Sequence, residues 1–178
     1  MKIKFIILLT TVFLFISCEE KLKPSIVQLP HQQIPSQESW NATIIFSDSG
    51  KVRAVLKANH IMVFQTQDVT ILNQGFRVDF YDETGKHTSY LIADSGRVIE
   101  KTKNLEAYGN IIAVSDEGTK VETSRLFWDN ERNKIRSDAF VKVTSPNEVL
   151  QGYGFEADQD LKNYVVYKVS GQARVGEK

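Results

Sequence analysis

Cysteine is nearly absent. Cys18 is the only one in 178 residues, so there is neither an intramolecular disulfide nor a cysteine-based zinc site. A charge surplus is missing too: lysine plus arginine number 22, and so do aspartate plus glutamate. Without a basic excess the chain has no electrostatic footprint for nucleic acid. Proline is scarce, and of the four, Pro24, Pro30 and Pro35 crowd ahead of Trp40 while only Pro146 lies beyond it. Long apolar runs are absent after Ile16, and nowhere do apolar residues recur at i, i+3, i+4, i+7 long enough to build a helix.

What is present begins with an address. Lys2 and Lys4 precede the apolar run Phe5–Ile16. As a helix that run rises about 18 Å against the roughly 30 Å hydrocarbon core of a bilayer, so it reads as the centre of a signal peptide. It ends Leu14-Phe-Ile-Ser17-Cys18, which resembles the bacterial lipobox, with Phe15 bulkier than the usual occupant of its position. The expectation is a lipoprotein signal peptide over residues 1–17, cleaved before Cys18, with Cys18 lipidated. An uncleaved apolar anchor is the alternative. Residues 18–39 carry three prolines and several glutamines and serines without a sustained apolar period, which predicts a flexible linker spanning about 25 Å. A short edge segment at Val27-Gln-Leu29 stays open as a second reading.

From residue 40 to 178 the pattern changes to period-two alternation, punctuated by turns such as Ser47-Asp-Ser-Gly50, Asp82-Glu-Thr-Gly85 and Ser115-Asp-Glu-Gly118. This predicts one all-β domain. A two-strand unit also recurs at roughly thirty residues. Leu56-Lys-Ala58-Asn59, Leu91-Ile-Ala93-Asp94, Val121-Glu-Thr123-Ser124 and Leu150-Gln-Gly152-Tyr153 occupy equivalent places, answered by Gly75, Gly109, Ala139 and Gly171 in their partner strands. Such units cannot bury an apolar face alone, so neighbours must stack into a coiled sandwich of two facing sheets, open at an edge. The expected inward set is Phe76, Val78, Phe80, Ile111, Ala113, Val141, Val143, Ala173 and Val175, with Arg77, Asp79, Lys142 and Arg174 facing water.

Nothing supports an enzyme. His31, His60 and His87 lack neighbours at metal-ligand spacing, so no metal site and no cofactor are expected. Asp94-Ser-Gly96 has no following helix and reads as a turn rather than a nucleophile elbow. Asp79, Asp82 and Glu83 sit on a strand face and its turn, where solvation is the simpler role. Gly152-Tyr-Gly154-Phe-Glu-Ala157 matches a dinucleotide pattern only nominally, because another strand follows where a helix is required. Trp128-Asp129 sits in a two-strand unit, too small for a propeller blade.

The unit L-x-A-[DN], a turn, then L-x-A-x-G-N-I over Leu91–Ile111, with Trp128-Asp129 before a turn and Gly152–Asp158 further on, resembles the OstA-like β-jellyrolls and within them the LptC family. The resemblance covers residues 40–175. It implies a twisted periplasmic jellyroll that receives lipopolysaccharide or a related glycolipid from an inner-membrane ATP-binding-cassette exporter and passes it to a soluble jellyroll similar to LptA. Family members usually keep an uncleaved transmembrane helix, and the lipobox at Cys18 departs from that.

On this reading Phe76, Val78, Phe80, Ile111, Ala113, Val141, Val143 and Phe155 are candidate groove residues for acyl chains, with plain core packing as the other possibility. The last strand, from Tyr164 to Val175, has no proline and only Lys168 and Arg174 as charges. Its Val165, Tyr167, Val169, Ala173 and Val175 are candidates for an edge that adds a strand from a partner chain. The strands near Ile44–Phe46 are expected to dock on the exporter. A structural or assembly lipoprotein, using its edges without moving lipid, is the alternative function.

Overall fold

The computed structural model describes residues 34–174. Ten strands follow one another: β1 (Gln37–Asp48), β2 (Lys51–Phe64), β3 (Val69–Tyr81), β4 (His87–Ala93), β5 (Ser95–Ile99), β6 (Asn104–Ser115), β7 (Lys120–Asp129), β8 (Lys134–Thr144), β9 (Glu148–Asp158) and β10 (Tyr164–Arg174). All pair antiparallel in a single sheet of order β1-β2-β3-β4-β6-β7-β8-β9-β10, with β5 continuing the line of β4 between β3 and β6. β1 starts at Gln37 and Ser36 N–H already donates to Val63 O at 2.8 Å, so the sheet takes in the end of the expected linker. The expected signal peptide, Cys18, the Val27–Leu29 segment and Val175 lie outside the described residues.

The two facing sheets expected from the repeat are halves of this one sheet, folded along a crease. The pairing registers trace it from strand to strand. Ladder irregularities fall between Ala58 and His60, Tyr108 and Ile111, Thr123 and Phe127, and Ser137 and Phe140. β4 and β5 part at Asp94 on the same line. Left-handed backbone marks it as well, at Asn41, Gln74, Gly75, Gly109 and Gly154. Bulges bend a strand and increase its twist, so a line of them bends the whole sheet. β2 and β3 therefore run unbroken through the crease as long strands.

Side chains stitch the crease where the ladder opens. Asn110 donates to Asp94 Oδ2 from its backbone N–H at 3.0 Å and from Nδ2 at 2.8 Å. Asn59 Nδ2 donates to Gln74 O at 2.7 Å, and Gly75 N–H to Asp94 O at 2.8 Å. Further along, Thr123 Oγ1 donates to Phe140 O at 2.9 Å and Ser137 Oγ to Arg125 O at 2.7 Å. Backbone groups freed by a bulge need such partners. This is the physical content of the repeat: its polar fourth position, Asn59, Asp94 or Ser124, falls on the bend.

Inward positions form rows across the strands. On one side of the crease Leu56, Val78, Leu91, Ala113, Val121 and Val143 are register partners, each 0–1 % exposed. On the other side Thr70, Val98, Leu105, Trp128, Ile135 and Ala157 form the matching row and are likewise buried. The halves touch across the interior: the Phe46 and Phe80 rings meet Trp128 edge-on at 6.1 and 5.1 Å between centroids. A β-carbon at Gly96 would lie 2.8 Å from the Phe76 ring, so the halves converge near the crease and need small residues there.

Three expectations are corrected. Ala173 is exposed, not inward, because the bulge between Val169 and Gly171 shifts the phase of β10, so that Gln172 pairs with the core-packed Leu150 and Ala173 with Val149. Gly171 does not match Gly75 and Gly109; it flanks a separate bulge between Val169 and Gly171, while Tyr167 is the β10 residue opposite the crease. Asp79 faces outward but is covered, at 9 % exposure, by side chains of its own outer face.

Gly109 joins a φ of +96° to a β-carbon position 2.7 Å from Asp94 Cβ. Gly50 has a similar φ of +79° with nothing within 4 Å. Gly109→Ala is therefore expected to destabilise by about 1–3 kcal/mol from backbone strain, plus the loss of the Asp94 stitch. Gly50→Ala carries the strain without the clash and should cost measurably less. Urea unfolding of both variants checks this; equal costs would remove the crease stitch from the account.

Candidate functional site: an apolar interior with free edges

The candidate groove residues all line the interior. Phe76 and Phe80 are 5 % and 0 % exposed, and Val78, Ile111, Ala113, Val141, Val143 and Phe155 are 0–1 % exposed. Seven of these eight sit on one wall, built from β3, β6 and β8 beyond the crease, and Phe155 alone comes from the facing wall. The facing wall, Leu72, Val98, Leu105, Leu126, Trp128 and Ile135, was missed. Its strands show the same alternation, visible in Leu126-Phe-Trp128, and that signal was sufficient to find it.

Opposite the crease lies a mouth where turns of both halves meet. There the β9–β10 turn reaches across. Ser89 Oγ donates to Gln159 O at 2.6 Å, Trp128 Nε1 donates to Gln159 Oε1 at 3.2 Å, and Gln159 Nε2 donates to Tyr81 O at 3.4 Å. Gln159 N–H donates to Asn133 O at 3.0 Å, and Leu161 is fully buried beside it. The sequence reads this stretch only as a polar turn, Asp158-Gln-Asp160. No periodic signal marks a plug made by one buried glutamine and one leucine. The same turn borders a cleft of about 250 Å³ (Arg53, Tyr81, Arg132, Gln159), and elsewhere on the seam turns of both halves line one of about 230 Å³ (Ile45, Asp48, Lys103, Asn130).

β1 and β10 are the two ends of the sheet, and among the described residues each pairs on one side only. Large exposed apolar side chains gather at these ends. Ile34, Trp40, Ile45 and Val52 lie on or just before β1 and β2, and Phe140, Tyr153, Val165, Tyr167 and Val169 lie on β8 to β10. None lies on β3 to β7. Of the candidate edge residues, Val165, Tyr167 and Val169 are thus exposed by 54, 62 and 52 %. Phe140 and Tyr153 pack edge-on at 5.3 Å, which extends that patch inward from the edge.

The outer face carries ion pairs. Arg77 donates to Asp79 Oδ1 from Nε at 2.9 Å and from Nη2 at 2.6 Å, and its guanidinium stacks 3.9 Å over the Tyr90 ring. His87, read from sequence as lacking close acids, lies 3.4 Å from Asp79 Oδ1 and 2.8 Å from Asp116 Oδ1. Those acids come from β3 and the β6–β7 turn, a meeting that linear spacing does not reveal. Burial pushes the Asp79 carboxyl up, but the Arg77 hydrogen bonds and the nearby His87 outweigh it and hold it below its ordinary value. The Arg97 hydrogen bond does the same for Glu106, and Lys134 with Asn163 for Asp158. Among the described residues no cluster of three or more His, Cys, Asp or Glu could hold a metal, and no helix is long and apolar enough to cross a membrane.

A family model described as lipopolysaccharide-assembly, LptC-related, matches residues 5–173, nearly the whole chain. Comparison with curated proteins gives no match.

The depressed carboxyls fix the sign of a pH effect. A carboxyl held low in the folded state contributes stability that is full above its unfolded value, about 3.9 for Asp, and is lost as pH falls through the folded value. The melting temperature is therefore expected to hold from pH 7 to 5 and to fall steeply below about pH 4. Asp79→Asn should lower it at pH 7 and flatten the acid slope. Thermal melts followed by circular dichroism at successive pH values check this, and an unchanged slope would remove Asp79 from the account.

Proposed function

The chain belongs to the LptC-related family of lipopolysaccharide-assembly proteins, and we propose that it is a membrane-attached periplasmic adaptor for lipopolysaccharide transport. In this reading residues 1–17 are a signal peptide, Cys18 carries the lipid anchor, and residues 18–39 tether the jellyroll. It takes the acyl chains of lipopolysaccharide, or of a related glycolipid, from an inner-membrane ATP-binding-cassette exporter and hands them to a soluble LptA-like jellyroll. The observation that carries this reading is one apolar interior running between two free, apolar-decorated sheet edges.

The physics is simple. An acyl chain gains about 0.8 kcal/mol for each methylene removed from water, and an interior lined by Val78, Leu91, Ile111 and Trp128 supplies the apolar surface. Phosphate and sugar groups stay outside in water. The interior does no chemistry and imposes no direction; direction comes from the nucleotide-driven partner, since this chain has no P-loop. Edge strands supply continuity. A partner strand pairing with β10 extends the sheet, and its interior then abuts this one.

A second reading rests on an observation of its own: the interior is filled, with groove candidates at 0–5 % exposure. A protein with a permanently closed core, binding partners only through its edges, is an assembly lipoprotein without lipid transfer.

Photocrosslinking amino acids at Val78 and Ile111 separate the two. During active transport they are expected to capture lipopolysaccharide; no capture, with partner binding intact, leaves the assembly role. The edge has its own test. Val165→Lys combined with Val169→Lys places charges on an exposed edge strand, where they block strand addition at little cost to the fold. Co-purification of the jellyroll partner should fall at least tenfold, and undiminished co-purification would move the partner contact away from β10.

A further inference from the structure

We propose that the β9–β10 turn, Gln159–Leu161, is a latch that holds the mouth of the folded sheet closed against acyl chains. Its ligand rests on the transfer reading above; its mechanics do not.

The turn is the place where the two halves are joined by hydrogen bonds across the interior's open side. Gln159 is 8 % exposed and is bonded in several directions, to Asn133 on its own half and to Tyr81 and Ser89 on the other. Its side chain also caps the indole N–H of Trp128, the largest fully buried side chain. Leu161 fills the space behind with no exposure, held in the left-handed region at φ +57° by its N–H donating to Asp158 O at 2.9 Å. A branched side chain rarely adopts that backbone, so its burial must hold it there. Outside these groups the turn's tie to the other half is an ion pair between exposed side chains, Lys162 and Glu117, at 2.9 Å. Pairs of that kind add little.

Such a closure is reversible in a way a packed core is not. When the turn swings out, the amide of Gln159 and its backbone exchange protein partners for water, so the cost falls mainly on exposing Leu161. Leu161 vacates volume inside the mouth. Two donors are then unmasked at the entrance, Ser89 Oγ–H and Trp128 Nε1–H. Both suit the ester and amide carbonyls at the head of an acyl chain, so what Gln159 satisfies in the closed state a lipid satisfies in the open one. Gln159 itself borders a cleft of about 250 Å³ with Tyr81 and Thr88, so the latch faces open space on that side.

The chain has two tryptophans, and Trp40 is 59 % exposed whereas Trp128 is 1 % exposed. In a Trp40→Phe background of the full chain in phospholipid nanodiscs, Trp128 fluorescence reports the mouth alone. Gln159→Ala, and separately Ser89→Ala, are compared with that background for quenching by acrylamide and by 9,10-dibromostearate. Melting temperature verifies the fold. The expected result is an acrylamide quenching constant raised at least threefold in Gln159→Ala, less in Ser89→Ala, with stronger quenching by the brominated chain. Unchanged acrylamide quenching in both folded variants overturns the latch. Should Gln159→Ala fail to fold, Ser89→Ala alone decides by the same criterion. Acrylamide access that rises without quenching by dibromostearate upholds the latch and counts against the interior as an acyl-chain site.

Discussion

Everything in this molecule depends on the bend in its sheet. A flat sheet of ten strands would expose one whole apolar face, and a closed barrel would have no edges. Folding along a line of bulges gives a third solution, in which one sheet buries its face against itself and keeps both edges. The cost is local: ladder hydrogen bonds are lost where strands bend. Asp94, Asn110, Asn59, Thr123 and Ser137 replace them with side-chain bonds at 2.7–3.0 Å for the principal contacts. The sheet bends where its sequence supplies a polar or glycine residue, and the apolar rows on either side follow from ordinary alternation.

That logic explains what was legible in the sequence. Alternation and turn residues disclosed the strands, and the recurring L-x-A-[DN] unit disclosed equivalent rows, because Leu56, Leu91 and Val121 do share a row with Val78, Ala113 and Val143. The bend itself was hidden. Asn59 and Gln74-Gly75 look like turns between short strands, yet β2 and β3 run through them. A bulge and a turn use the same residues, and only the pairing partner tells them apart. Gly171 misled because it flanks a bulge of its own, away from the crease.

The site was read less completely than the fold. One wall of the interior emerged because its residues alternate after a small residue, Gly75, Gly109 or Ala139; the other wall, including Trp128, did not. Ala173 was misplaced because the bulge between Val169 and Gly171 shifts the phase of alternation, which the sequence does not mark. Asp79 looked like any outward acid, since its cover comes from Arg77 two residues away and from His87 on the next strand. Contacts of that kind depend on register, and Gln159 lies beyond even register, seventy residues from the Ser89 hydroxyl it accepts.

The two seams of the sandwich are therefore unlike in kind. At the crease every strand passes covalently from one wall to the other, and side chains close the gaps in the ladder. At the mouth the walls meet through loops and side chains only: hydrogen bonds around Gln159, the buried Leu161, the Phe46 and Phe80 rings against Trp128, and one exposed ion pair. Opening free energy in a protein is lowest where few apolar contacts are lost and freed polar groups can turn to water. Any parting of the walls must then begin at the mouth and pivot on the crease. A filled interior and the proposed lipid-carrying role are compatible on those terms: under that proposal the apolar rows would set the affinity for an acyl chain, and the unequal seams would set the side from which it enters.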